Sequence, residues 1–190
     1  AVGANGSLYR GSTQQLNADL TVPTAFREGR GVGIYAAPLI EFRPANSVLG
    51  IMLQAGYDSR RGKFKQVTTP CNCPADLSTD LSYVVIEPSL RLAPFKNGFY
   101  IYLGPRMAFD LEKNFTYKLG TNPAYPNQAP NPDVEGKFDH INKTQISGQV
   151  GLGYDIPMSS KNSQTQFVIS PFASFHPYFG QTPRTVETWN

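Results

Sequence analysis

Within residues 29–43 every second side chain from Val32 onward is apolar: Val32, Ile34, Ala36, Pro38, Ile40 and Phe42 share one parity and none of them carries a charge. A period of two is the mark of a β-strand whose two faces meet different surroundings. The pattern returns at 48–57 (Leu49, Ile51, Leu53, Ala55, Tyr57), 82–93 (Val84, Ile86, Pro88, Leu90, Leu92) and 99–111 (Ile101, Leu103, Pro105, Met107, Phe109). It appears again at 146–156 (Gly148, Val150, Leu152, Tyr154, Ile156) and 166–179 (Phe167, Ile169, Pro171, Ala173, Phe175). A weaker strand lies near Val2 to Arg10, and an eighth begins near Thr185. So regular a recurrence leaves little room for helices and points to an all-β chain, with 190 residues fitting a single domain over 1–190.

The connections alternate in length. Pro44 to Ser47, Pro94 to Gly98 and Met158 to Thr165 are short enough for hairpin turns, whereas Gly11 to Glu28, Asp58 to Leu81 and Glu112 to Lys143 are long and polar. Short turns at one rim and long loops at the other are the arrangement of an up-and-down barrel that crosses an outer membrane. Mean hydropathy is −0.32 and no run of 18 apolar residues occurs, so no transmembrane helix is expected. A β-barrel passes that test, because its strands are only half apolar.

Alternation does not say which face is inside: a lipocalin-like barrel buries its apolar face, a membrane barrel turns it to lipid. The polar face decides. In a soluble barrel it would be rich in Lys, Glu and Thr, but here it holds Gly50, Gly56, Gly104, Gly151, Gly153, Ser89, Ser147, Ser170, Tyr83, Tyr100 and Tyr102, the small and aromatic residues that fill a narrow lumen. Lys63, Lys65, Lys96, Lys113, Lys118, Lys137, Lys143 and Lys161 all fall in predicted loops, turns or strand ends. The charges that lie mid-strand on the polar face are Glu41, Arg43, Glu87, Arg91, Arg106, Asp110 and Asp155, a mixed set able to neutralise itself as an interior plug. The expected fold is therefore an eight-stranded antiparallel up-and-down transmembrane β-barrel; a soluble lipocalin-like ligand-binding barrel is the alternative. Pro38, Pro88, Pro105 and Pro171 sit near mid-strand on the apolar face and lack a ladder donor, so a bulge or a missing hydrogen bond is expected at each.

The run Tyr83-Val-Val-Ile-Glu-Pro-Ser-Leu-Arg-Leu-Ala-Pro-Phe resembles the proline-centred strand and short turn of the outer-membrane β-barrel domains common in the Bacteroidetes, the OmpA-like and PorT-like eight-stranded group. Leu103-Gly-Pro-Arg-Met-Ala-Phe-Asp is similar to that family's following strand, and Gly148-Gln-Val-Gly-Leu-Gly-Tyr-Asp to its next. The resemblance covers most of the chain from about Gly29. It implies a mature barrel in the outer membrane of a Gram-negative cell and carries over no catalytic residue. In this chain strand eight is incomplete: only six residues remain from Thr185 to Asn190, against the roughly 9 to 11 that a spanning strand takes. Asn190 is therefore expected not to be the natural terminus, and the resemblance allows contact with peptidoglycan or other envelope proteins through a following region.

Other chemistry is sparse. The net charge of +3 is not clustered, so nucleic acid is not an expected partner. No Walker loop, Cys-x-x-Cys or His-Glu-x-x-His occurs, and Gly29-Arg-Gly-Val-Gly33 lies within a strand rather than opening a helix, so no cofactor is expected. Cys71 and Cys73 lack further ligands for a metal and are read as a local disulfide or two free thiols. Of the histidines, His140 falls in a polar loop, whereas Ser174 and His176 share a strand face; a serine beside a histidine is the nucleophile pair of a lipid-modifying enzyme. That pair faces inward, away from acyl chains, so a non-enzymatic envelope protein or a component of a larger outer-membrane complex is the preferred reading. Arg61, Lys63 and Lys65 continue the lipid-facing parity past Tyr57, where basic side chains would meet lipopolysaccharide phosphates.

Overall fold

The computed structural model describes residues 1–44, 47–95, 97–125, 127–139, 141–158 and 168–177. Seven strands follow one another as an antiparallel meander: β1 (Val2–Gln15), β2 (Thr21–Ala36), β4 (Leu49–Phe64), β6 (Pro74–Leu92), β7 (Phe99–Leu119), β9 (Thr144–Tyr154) and β12 (Phe172–Phe175). The short β3 (Leu39–Phe42) prolongs β2 along β4, β5 (Val67–Thr68) pairs with β6, and β8 (Val134–Lys137) pairs with β7. β10 (Ile156–Pro157) and β11 (Val168–Ile169) pair in line with β9 and β12. The sheet curls until its two edges face each other, a Cβ added at Gly3 of β1 lying 3.7 Å from the Phe172 ring of β12. The predicted turn at 158–165 (beyond Met158), the eighth strand from Thr185 and His140 lie outside the described residues.

The polarity is that of a barrel in lipid. Val32, Ile34, Ile51, Leu103 and Ile146 point outward and are exposed, Ile34 at 62% and Ile146 at 66%, while Arg91 and Arg106 point inward and are 1% exposed. A soluble barrel would show the reverse, so the lipocalin-like alternative is set aside. Tyr35, Tyr83, Tyr100, Tyr102, Ser89 and Ser147 fill the interior.

The long loops are a correction to the sequence reading. β2 begins at Thr21, β4 runs to Phe64, β6 begins at Pro74 and β7 runs to Leu119, so much of 11–28, 58–81 and 112–143 is ladder that continues beyond the apolar belt. Lys63, Lys113, Lys118 and Lys137 accordingly lie in strands, within this extension. Its interior is apolar: Leu16, Val22, Phe26, Phe64, Leu77, Leu81, Phe115, Tyr117, Phe138 and Ile141 form one buried cluster. Phe26 sits edge-on to Phe64 and to Tyr117, each ring centroid 6.2 Å away. The hairpins are also tied to one another, Asp139 accepting from the Ala18 amide at 2.6 Å and Asn122 donating to the Cys71 carbonyl at 2.8 Å.

The prolines are interruptions without bulges. The register on either side, Ile86↔Met107 and Leu90↔Leu103, sets Pro88 opposite Pro105, and the β6–β7 ladder is open between those pairs. The two missing donors thus fall in a single gap, while Pro88 stays paired with Leu53 and Pro105 with Gly148 in the flanking ladders. Pro38 and Pro171 fall at the breaks between β2 and β3 and between β11 and β12, where register again continues unchanged. The shifts that do occur are elsewhere, in β1–β2 between Arg10 and Gln15, and in β6–β7 at Ser82/Tyr83, where Leu111 is the extra residue.

A different gap lies between β2 and β4. A Cβ at Gly31 would be 1.4 Å from the Arg61 carbonyl oxygen, and one at Gly33 would be 1.7 Å from that of Ser59. Only glycine allows so close an approach. Side chains of β1 reach across it: Asn5 donates to the Ser59 carbonyl at 2.9 Å and the Tyr9 hydroxyl to that of Arg60 at 3.1 Å.

Candidate functional site

Inside the belt the charges form two linked groups. In the lower, Arg91 holds Glu41 with one terminal nitrogen and Asp155 with the other, its guanidinium 4.0 Å from the Tyr100 ring centroid. Arg43 joins Glu41 at 3.7 Å, and Ser170 donates to Asp155 at 2.7 Å. In the upper, Arg106 bridges Glu87 and Asp58, and Arg60 pairs with Asp58 at 2.8 Å. The Tyr35 hydroxyl donates to Glu87 at 2.7 Å and lies 2.8 Å from the Gln54 amide. Arg60 also stacks over Tyr83, 4.7 Å from its centroid. Each guanidinium fork satisfies carboxylates that burial would otherwise leave uncompensated, which is the condition for holding charge inside a barrel.

Of the seven charges expected here as one interior cluster, Glu41, Arg43, Arg91 and Asp155 meet in the lower group and Glu87 and Arg106 in the upper, and Arg43, its side chain 44% exposed, stands at the rim and not in the interior. Asp110 is not among them: it lies on β7 beside the Leu111 irregularity, makes none of these ion pairs, and its Oδ1 has no hydrogen-bond partner. Asp58 and Arg60 belong to the network and were missed, because the third strand was ended at Tyr57. Their signal was parity, since they continue the inward series Gly50, Met52, Gln54, Gly56.

Ser174 and His176 border the same interior, in a cavity of about 880 Å³ lined also by Asn5, Asp58, Arg60 and Glu87. The Ser174 side chain lies near that of Tyr102. His176 faces Arg106, Arg60 and Asp58.

On the outside, Arg61 and Lys63 are exposed on β4 as parity requires, and Lys65 is exposed just beyond its end, its amide donating to the Glu28 carbonyl at 2.8 Å. Arg61 pairs with Asp80 at 3.5 Å. Arg30, absent from the sequence-predicted set, is the Cα partner of Lys63 across the β2–β4 ladder. Cys71 and Cys73 form a disulfide at the turn between β5 and β6. Among the described residues no cluster of three or more His, Cys, Asp or Glu could hold a metal ion, and no helix is long and apolar enough to cross a membrane.

Residues 1–180 match a protein family described as outer membrane protein beta-barrel domain. No curated protein and no solved structure matches.

Proposed function

The chain belongs to the outer-membrane β-barrel domain family and resides in the bacterial outer membrane, and from that premise we propose that it is a non-enzymatic barrel with a structural role in the envelope, alone or as a component of a larger outer-membrane complex. The observation that carries this reading is the filling of its interior at two levels. Arg106 and Arg91, both buried, hold their carboxylates across the lumen, and above them the Phe26–Phe64–Tyr117 cluster closes the extension. A barrel of this size has room for side chains or one small ligand, and here ion-paired side chains cross the lumen while the cavity of about 880 Å³ lies to one side of them, against β1 and β12. The further likeness to the OmpA-like and PorT-like group rests on the proline-centred strand around Pro88 and the paired Pro105.

The test is the purified protein in planar bilayers, with lipid hydrolysis assayed in parallel. No stable ion-selective conductance is expected, and no release of fatty acid from phospholipid or lipopolysaccharide. Stable conductance abolished by altering Arg91 or Glu87, or hydrolysis abolished by Ser174→Ala, would overturn the reading.

A further inference from the structure

The outer face of the sheet changes character row by row above the apolar belt. On β4, β6 and β7 the last apolar row is Tyr57, Val84 and Phe109, with Tyr57↔Val84 and Val84↔Phe109 paired directly, whereas on β1 and β2 the exposed Leu8, Val32 and Ile34 carry the apolar face higher. Six residues further up β4 runs a row fixed by the ladders Leu8↔Arg30, Arg30↔Lys63, Lys63↔Ser78 and Ser78↔Thr116. Arg30 and Lys63 are both exposed and stand directly opposite each other on adjacent strands. Like charges in that position repel and weaken a sheet unless an anion lies between them. Ser78 and Thr116 continue the row with hydroxyls, and its only carboxylate among the described residues, Glu135 of β8, follows Thr116, three strands from Lys63. One step below, Arg61 is held by Asp80 at 3.5 Å.

The row above is built differently. Arg10 is paired with Glu28, and the Lys65 amide bonds the Glu28 carbonyl, so positive charges there flank a carboxylate. There a carboxylate stands between the cations, whereas Arg30 and Lys63 have only Leu8 and Ser78 as their other partners across the ladders. The depression over it, about 710 Å³, is lined by Arg30, Arg61, Lys63, Ser78 and Asp80 among others, three cations against the one carboxylate that Arg61 holds.

We propose that Arg30 and Lys63, with Arg61 beside them and the Ser78 hydroxyl next in the row, bind a phosphate of a lipid A headgroup whose acyl chains lie on the belt below. The proposal rests on membrane placement and not on how the interior is filled, so the conductance result leaves it untouched. A phosphate monoester supplies the anion that two facing cations lack and accepts from guanidinium, ammonium and hydroxyl together. A lipid is favoured over a free anion because the row stands directly above exposed Val32 and Ile34 on β2, where a headgroup attached to chains on the belt would lie. Lys65, in the row with Glu28, is a minor contributor.

The experiment uses the purified barrel in detergent, folding checked for each variant by the heat-dependent shift of its band on denaturing gels. Binding is measured for lipid A carrying both phosphates, for dephosphorylated lipid A and for inorganic phosphate at equal ionic strength. The expected results are preference for the phosphorylated lipid, at least a tenfold loss of affinity in the Arg30→Ser/Lys63→Ser double variant, and less than a threefold loss in Lys65→Ser. Without lipid the double variant should be no less stable than the parent, because removing facing like charges costs nothing. Equal affinity of double variant and parent, equal binding of both lipids, or inorganic phosphate binding as tightly as lipid A would each overturn the proposal. Should the double variant fail to fold, Arg30→Ser and Lys63→Ser are read singly by the same criteria.

Discussion

The lower and upper halves of β6 have opposite chemistry on the same parity. From Glu87 to Arg91 the inward residues are Glu87, Ser89 and Arg91, and the outward ones Ile86, Pro88, Leu90 and Leu92. From Ala75 to Leu81 the inward residues are Ala75, Leu77, Thr79 and Leu81, and the outward ones Asp76, Ser78 and Asp80. The strand does not turn over between them; what changes is the solvent outside. In the belt the surroundings are lipid, so apolar side chains gain nothing by going inside and polar groups must find each other within. Above the belt the surroundings are water, and the ordinary hydrophobic effect assembles the interior. The changeover falls at Ser82/Tyr83, where β7 carries its extra residue, Leu111, and exchanges its inward parity from Tyr100–Ala108 to Phe115–Tyr117.

The largest effect should come from breaking the lower half at Arg106. Arg106→Met removes the partner of Glu87 and one of the two partners of Asp58, leaving buried carboxylate uncompensated at a cost of about 3–5 kcal/mol. Unfolding of the barrel by denaturant from lipid vesicles measures it. Adding Glu87→Gln to Arg106→Met should recover part of the loss, since the residual penalty is an unpaired charge. A double variant as unstable as the single one would show that the arginine's bulk, and not its charge, holds that level together.

The upper half should break differently. Phe26 is fully buried between Phe64 and Tyr117, and Phe26→Ala should cost about 3–5 kcal/mol of packing. Because this core lies outside the belt, the loss should appear as faster proteolysis within residues 58–81 and 112–143, while hydrogen exchange in the lower part of β6 and β7 stays slow. Global unfolding of the barrel at the same denaturant concentration would instead make the two halves one cooperative unit.

The lower half was legible in the sequence because lipid imposes its rule on every strand: the outward parity of β2, β4, β6, β7 and β9 follows from period two, and the absence of lysine from the apolar stretches of those strands points to the inside. The upper half was misread as loops because its segments are rich in Asn, Thr and Lys. Yet Ala75, Leu77 and Leu81 alternating with Asp76, Ser78 and Asp80 is a strand pattern of the water-soluble kind, in phase with the membrane strand that follows. One strand obeying two rules is hard to see with a single template, and for that reason Asp58 and Arg60 were lost from the interior set. Arg30 escaped for a different reason. Gly29-Arg-Gly-Val-Gly33 was weighed only as a backbone cradle, while the side chain of Arg30 continues the parity of Val32 and Ile34. The Pro88–Pro105 pairing was out of reach, because it depends on the register between two strands.

The smallest expected effect tests whether the tip of the second hairpin supports the upper core or merely ends it. Cys71 and Cys73 are two residues apart, so their disulfide closes a very short loop and removes little freedom from the unfolded chain, about 1.5 kcal/mol at most by chain-entropy reasoning. The hairpin has other ties there: Thr69 and Cys73 are joined backbone to backbone at 3.0 Å, the Thr69 hydroxyl also donates to the Cys73 carbonyl at 3.0 Å, and Asn122 holds the Cys71 carbonyl from the third hairpin. Buried Ala75 and Leu77 follow directly, so the apolar core begins within a few residues of the turn. Cys71→Ser/Cys73→Ser should therefore leave proteolysis of the 58–81 hairpin within a few-fold of the parent, far below the change made by Phe26→Ala, and leave the belt unaltered. A loss as large as that of Phe26→Ala would mean that the disulfide, and not the aromatic cluster, holds the upper half closed.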